Sequence, residues 1–146
     1  MISTSTNQID KEILEFIATN KIASVCCAAN NIPHCFNCFY SVLPTDNCLV
    51  FKSSPDSRHI KMIGENNVVA GTIISSEISL AKVQGIQFEG VVVAKGAIGM
   101  GATQSYYLRY PFAIAVPGVI WVLELHTLKY TNTTNGIKHK AEWERA

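Results

Sequence analysis

Arg58, His59 and Lys61 fall within four residues of one another in a chain of which only 16% is charged. They stand in the stretch Ser53–Gly64, SSPDSRHIKMIG, behind two serines, a proline and an Asp-Ser pair. Such a turn offers hydroxyls and free backbone N–H groups, and a helix starting at Ser57 or Arg58 adds its positive end. Arg58 can clamp a phosphate with its planar fork, and Lys61 lies one turn on, on the same helical face. His59 contributes a donor whose charge depends on pH. These parts make an anion site. They equally make a capped helix with solvated basic residues, and the stretch by itself leaves both readings open.

Other constellations offer less. Cys35 and Cys38 form a C-x-x-C pair beside His34, a spacing used for zinc or for disulfide cycling. They lie in an apparent strand, where positions three apart point to opposite faces, so the pair reads as small apolar filler. Gly96, Gly99 and Gly101 give G-x-x-G-x-G, not the dinucleotide order G-x-G-x-x-G, and read as a flexible turn. His34, His59, His126 and His139 accompany neither a nucleophile elbow nor an H-E-x-x-H motif. His126 beside Glu124 reads as a surface pair. Tyr106, Tyr107 and Tyr110 read as packing on one helix, and Trp121 as core. Trp143, in a charged tail, reads as an exposed ring suited to a partner subunit.

The elements that must position these residues are short. Ile9, Ile13, Phe16 and Ile17 recur at helical spacing, with Ser5 and Gln8 suited to a capping box and Thr6 or Asn7 as alternative caps. Three strands follow, over 22–29, 34–43 and 48–53, separated by Asn30-Asn31 and by Pro44–Asn47. A short helix capped by Asp56 or Ser57 runs to about Gly64, with Ile60 and Ile63 as its buried stripe. Strands are expected at 68–75 and 82–96, with Gly85 and Gly90 as bends. A second helix starts near Thr103 and stops at Pro111. The segments 119–125 and 128–134 read as two further strands, and NGIKHKAEWERA as a tail. Six or seven strands without βαβ alternation predict a mainly β chain with short helices, closed as an antiparallel barrel or curled sheet.

Composition bounds the partners. A length of 146 residues suits one domain, 1–146. Hydrophobic residues reach 48%, and low charge on a small chain predicts apolar surface hidden in a homodimer. A net charge of +1 provides no field for nucleic acid or an anionic membrane. No signal peptide or spanning segment stands out, which predicts a cytoplasmic protein. The five cysteines then read as buried thiols in a reducing compartment.

The ordered set K-S-S-P-D-S-R-H-I-K-M-I, N-N-V-V-A-G-T-I, G-I-Q-F-E-G, R-Y-P-F-A and L-K-Y-T-N-T-T-N-G resembles the flavin mononucleotide (FMN) split-barrel family related to pyridoxamine 5′-phosphate oxidase. It is most similar to a small branch of short, single-domain bacterial proteins. The resemblance covers nearly the whole chain. It implies an antiparallel six-stranded split β-barrel that dimerises with FMN between the subunits. By position, Lys52 and Ser53 would end the strand beneath the phosphate. Ser57 and Arg58 would open the helix that binds it, with His59 and Lys61 nearby. Asn37, Phe39 and Tyr40 would edge the ribityl chain and ring, partly through backbone groups, and Gln84 would contact the ring. His59 stands where many relatives carry lysine. The tail IKHKAEWER does not reproduce the basic C-terminal motif of the oxidases proper, which argues against oxidation of pyridoxamine phosphate. The implied function is an FMN-dependent oxidoreductase acting on a small molecule. A flavin carrier or sensor, or a flavin-free binding module on the same barrel, is the alternative.

Overall fold

A computed structural model of the chain describes residues 7–93 and 99–146. The first apolar stripe forms α1 (Lys11–Thr19), which buries Ile13, Phe16 and Ile17. Its N-cap is Asp10, without a side-chain capping bond, so the expected Gln8 box is not formed; Ser5 lies outside the described residues. The C-cap Asn20 closes the helix, donating from its side chain to the Phe16 carbonyl at 2.9 Å.

Strands β1 (Ile22–Ala29) and β2 (Ile32–Leu43) form a hairpin through Asn30 and Asn31, whose φ angles are 52° and 63°. Two consecutive left-handed residues match the right-handed twist of a two-residue hairpin, and asparagine tolerates them. β3 (Cys48–Ser53), α2 (Arg58–Glu65), β4 (Val68–Ile74) and β5 (Lys82–Val93) follow where the sequence places them. Residues 94–98, which include Gly96, lie outside the described set. α3 spans Gly99–Arg109, and a 3₁₀ turn spans Pro111–Ala115. The helix begins four residues before Thr103. It ends before Pro111, as the missing amide N–H and the ring's steric bulk require.

The C-terminal third departs from expectation. Segments 119–125 and 128–134 are one strand, β6 (Val119–Thr134), and the tail forms β7 (Ile137–Glu144) after a turn at Asn135-Gly136. Charged residues at the exposed positions of this edge strand hid its alternation. Lys138, Lys140, Glu142 and Glu144 face water while Trp143 faces the core. Trp143 is 8% exposed. Its indole donates to the Asn7 carbonyl at 3.1 Å. It is therefore a core residue of its own chain, which corrects the expectation of an exposed ring.

The sheet order is β3-β2-β1-β4-β5-β6-β7, antiparallel throughout, with a further β3–β6 pairing. The pairing circuit thus returns to β3 through six strands and leaves β7 outside it. One edge of β6 is shared end to end, with β3 on Val119–Glu124 and β7 on Thr127–Thr134. Arg145 fills the junction, donating to the carbonyls of Leu125 (2.6 Å), Asp46 (3.0 Å) and Asn47 (2.9 Å). A bulge lies at Glu89/Gly90, whereas Gly85 keeps regular register. A Cβ on Gly90 would collide with the Glu124 carbonyl, and one on Gly71 with the Phe88 ring and the Ser24 carbonyl. Gly90 of G-I-Q-F-E-G and Gly71 of V-A-G-T thus permit close strand approach.

Inside the sheet lies a cluster built by Ile13, Ile17, Tyr40, Phe51, Phe88, Leu125 and Tyr130 with their neighbours. α2 covers one end of β1 through Ile60 and Ile63. Arg109 ties α3 to the C-terminus of α1. It donates to the carbonyls of Tyr40 (3.0 Å), Ala18 (2.9 Å) and Asn20 (2.5 Å), placing a cation at the negative pole of that helix. Tyr106 is buried and packs on Tyr107 and Tyr110, as expected of packing residues.

Candidate functional site at the β3–α2 corner

β3 delivers Ser53 to its end, and the Ser54–Ser57 turn brings α2 back over it. His59 is the hub of this corner. Its Nε2 lies 2.5 Å from Ser53 Oγ and 3.2 Å from Ser57 Oγ. Its ring lies flat against Phe36, with centroids 3.8 Å apart and 11° between planes. Burial, together with the nearby His34, lowers its pKa below the usual histidine value. Ser57 is the N-cap of α2 by position. Its hydroxyl is spent on the Ser54 carbonyl at 2.7 Å instead of capping the helix. The first-turn N–H groups of α2 therefore keep their capacity to meet an anion.

Arg58 and Lys61 stand one turn apart on α2 and are exposed. Neither makes a salt bridge or a side-chain hydrogen bond among the described residues. The Arg58 charge nonetheless reaches inward, favouring the thiolate of the buried Cys27 against stronger opposing effects. The corner is an open surface on the single chain, and neither large cavity includes Arg58.

Lys52 is turned elsewhere. Its ammonium donates to the Ala113 carbonyl at 2.8 Å and sits 4.9 Å from the Tyr107 ring centroid. It anchors the 3₁₀ turn.

The three β2 residues divide between faces. Tyr40 is fully buried and donates its hydroxyl to the Ile17 carbonyl at 2.7 Å, so its side chain is structural, against the expectation that it edges a ring. Asn37 and Phe39 lie on the outer face with Cys35, while Phe36 and Cys38 pack inward. Asn37 accepts from Ser24 Oγ at 2.6 Å, and Phe39, 52% exposed, packs edge-on to Tyr110. Their backbones are more telling. The Tyr40 N–H donates to the Lys21 carbonyl, and ladder bonds alternate along antiparallel pairs. Cys35, Asn37 and Phe39 therefore direct N–H and C=O away from β1. β3 covers that edge of β2 only over Tyr40–Leu43. Among the described residues, a stretch of free strand edge thus opens beside the corner.

Within one chain, Gln84 lies away from the β3–α2 corner. It donates to the Tyr130 hydroxyl at 2.9 Å and lines a separate cavity of about 390 Å³ beside α1. The ladder explains the distance. Cys27, under α2, is level with Gly90 through Val69, whereas Gln84 pairs with Asn132 farther along β5. Six residues of strand separate them by roughly 20 Å.

The larger cavity, about 890 Å³, is a cleft across the outer sheet face. Ser24, Cys26, Cys35, Gln87, Lys129 and Glu142 are among its lining residues. A reducing compartment predicts buried cysteines. Cys27 and Cys48 are buried, but Cys26 is half-buried and Cys35 exposed. Cys35 and Cys38 do face opposite ways, as the strand reading requires. Burial pushes Cys38 up to about 12. No cluster of three or more metal-ligating side chains occurs among the described residues.

No protein-family model matches the chain. Among solved structures it is similar to a heme binding protein from Mycobacterium smegmatis, with a TM-score of 0.74, 14% identity and 97% of this chain covered. It spans 59% of that longer chain. It is also similar to an FAD-binding protein from Mesorhizobium loti, with a TM-score of 0.70 and 13% identity over 87% of this chain and 97% of that one. At such identities the likeness establishes the fold alone. Sequence similarity goes further with a UPF0306 protein of Photorhabdus laumondii, 34% identical over 134 residues, 91% of this chain and 94% of that protein. By that match the chain belongs to the UPF0306 family.

Proposed function

We propose that this protein is an FMN-binding split-barrel protein that holds the cofactor phosphate at the β3–α2 corner. The observation that carries the reading is a pair of cations, Arg58 and Lys61, without a side-chain partner among the described residues, beside the Ser53–His59–Ser57 cluster at the start of α2. Arg58 and Lys61 would neutralise the phosphate, with α2 N–H groups and the Ser53 hydroxyl as donors. The free backbone of Asn37 and Phe39 would meet the ribityl chain and ring edge. The closed six-strand pairing circuit and the FAD-binding fold neighbour support the same reading.

Because the corner is open on one chain, a second copy would supply the other wall, as in a homodimer with the cofactor between subunits. Exposed Phe39, Phe112, Ile114 and Val116 give that copy apolar surface to cover. The His59 Nε2 atom is not placed to ligate a heme iron. An axial ligand needs a ring nitrogen turned into open space, and His59 Nε2 is committed to Ser53 and Ser57.

A flavin supplies two-electron exchange with a small molecule, and the chain supplies placement and charge. We take the protein to be an FMN-dependent oxidoreductase. The carrier or sensor reading stands beside it on one observation. The groups whose pKa is pushed up furthest, Cys38, Tyr40, Cys48 and Tyr106, owe it to burial in packing, and none faces the corner. Turnover of a nicotinamide cofactor or a quinone separates the two.

The site is tested by titrating Arg58→Ala with FMN and following quenching of flavin fluorescence. Loss of a charge-assisted contact to a partly desolvated phosphate costs about 2–5 kcal/mol, so affinity falls at least tenfold. Unchanged FMN retention in that variant contradicts the placement.

A further inference from the structure

The outer face of the β1–β2 hairpin carries a pair of thiols that the C-x-x-C spacing conceals. Cys35 does not face Cys38; it faces Cys26, its direct partner across the ladder. Both are free thiols lining the large cleft, Cys35 exposed and Cys26 half-buried.

The ladder fixes how near they stand. The Tyr40 N–H to Lys21 carbonyl bond marks one hydrogen-bonded pair, and every second pair from it is of the same kind. Counting along the register, Ile22/Phe39, Ser24/Asn37 and Cys26/Cys35 are the non-hydrogen-bonded pairs. Pro33, opposite Ala28, agrees, since it has no N–H to give and sits at such a position. Non-hydrogen-bonded partners have Cα atoms about 4.5 Å apart with side chains close. A disulfide accepts Cα separations of about 4.4–6.8 Å. The pair therefore falls within the range a bridge accepts. Cys27, one residue along, points to the opposite face and is buried, so it does not compete.

We propose that Cys26 and Cys35 form a reversible cross-strand dithiol/disulfide couple whose substrate class is the low-molecular-weight disulfides. Interaction with Cys26 raises the Cys35 pKa, so the reacting form is its smaller thiolate fraction: the accessible Cys35 sulfur, as thiolate, attacks one sulfur of the small disulfide. An S–S bond forms to Cys35, the small disulfide's own S–S bond breaks, and one small thiol leaves with the proton Cys35 gave up. Cys26, across the strand, then attacks the Cys35 sulfur. The Cys26–Cys35 bond forms, the mixed disulfide breaks and the second small thiol departs with the Cys26 proton. Two protein thiols are oxidised and one small disulfide is reduced to two thiols. The couple is independent of the flavin reading and needs no cofactor.

The test uses the full, reduced chain with oxidised glutathione, quenched with an alkylating agent and read by intact and peptide mass. The wild type is expected to lose two hydrogen masses, with Cys26 and Cys35 protected from alkylation and restored by dithiothreitol. Cys26→Ser is expected to stop at a mixed disulfide on Cys35, and Cys35→Ser to resist oxidation at Cys26. Circular dichroism checks that both variants fold; should either fail to, the wild-type bridge location decides. The proposal is overturned by a wild type that accumulates only mixed disulfide, links Cys35 to Cys27 or to a second chain, or remains fully alkylatable.

Discussion

The imidazole of His59 lies flat on the ring of Phe36, 3.8 Å between centroids, with its Nε2 held 2.5 Å from the hydroxyl of Ser53. An apolar ring on one face and a hydroxyl at its edge hold the imidazole where it is hard to protonate and easy to orient.

A pH dependence follows from that contact. Desolvation, then the His34 charge, lowers the His59 pKa in the folded chain. Below the usual histidine value the unfolded chain therefore binds more protons than the folded one, and stability rises with pH there. The contribution is complete above the unfolded pKa and is lost as pH falls through the lowered one. The His59 ring resonances, followed by NMR, should titrate below the ordinary value in the free protein. A phosphate dianion at the corner favours the imidazolium, so addition of FMN should move the titration upward. A titration indifferent to FMN places the phosphate elsewhere.

Arg109 is predicted to matter for stability. Its fork serves the carbonyls of Ala18, Asn20 and Tyr40, and it packs on the Tyr40 and Tyr110 rings. Arg109→Ala leaves the α1 terminus without its cation and is expected to cost about 2–3 kcal/mol. That lowers Tm by on the order of 10 °C. Arg109→Lys, a point charge without the fork, should fall between the two. Thermal unfolding followed by circular dichroism reads both.

Trp143 separates packing from partner contact. Its indole fills the inner face of β7 and bonds to Asn7. Trp143→Ala should destabilise the chain by about 3 kcal/mol. Trp143→Phe, which keeps most of the packing and loses one hydrogen bond, should cost about 1 kcal/mol. Equal urea midpoints for wild type and Trp143→Ala would mean that β7 is not part of the folded core.

Much of this architecture was legible in the residues. The helical stripe of Ile13, Phe16 and Ile17, the Asn30-Asn31 turn and the Ser57 start of α2 all follow from local pattern, and the structure forms each of them. Two kinds of information were not local. β6 reads as two strands because Leu125–Thr127 marks where β3 hands its edge over to β7, a matter of tertiary pairing. β7 reads as a tail because an edge strand carries charge on its outer face. The corner was legible in part: Ser53, Ser57 and His59 converge, and Arg58 and Lys61 stand beside them. Lys52, Tyr40 and Gln84 carry side chains suited to the site, but the ladder and the core assign them to other tasks. The Cys26–Cys35 pair was invisible for the same reason, since only the hairpin register sets the two thiols opposite each other.

The central claim is that the β3–α2 corner recognises a phosphate. It is tested most directly by comparing FMN with riboflavin, identical but for that phosphate, in equilibrium titrations of the same protein at fixed ionic strength. FMN is predicted to bind at least tenfold more tightly, with the difference shrinking as Arg58 or Lys61 is replaced by alanine. Equal affinity for the two, or no binding of either, would contradict it.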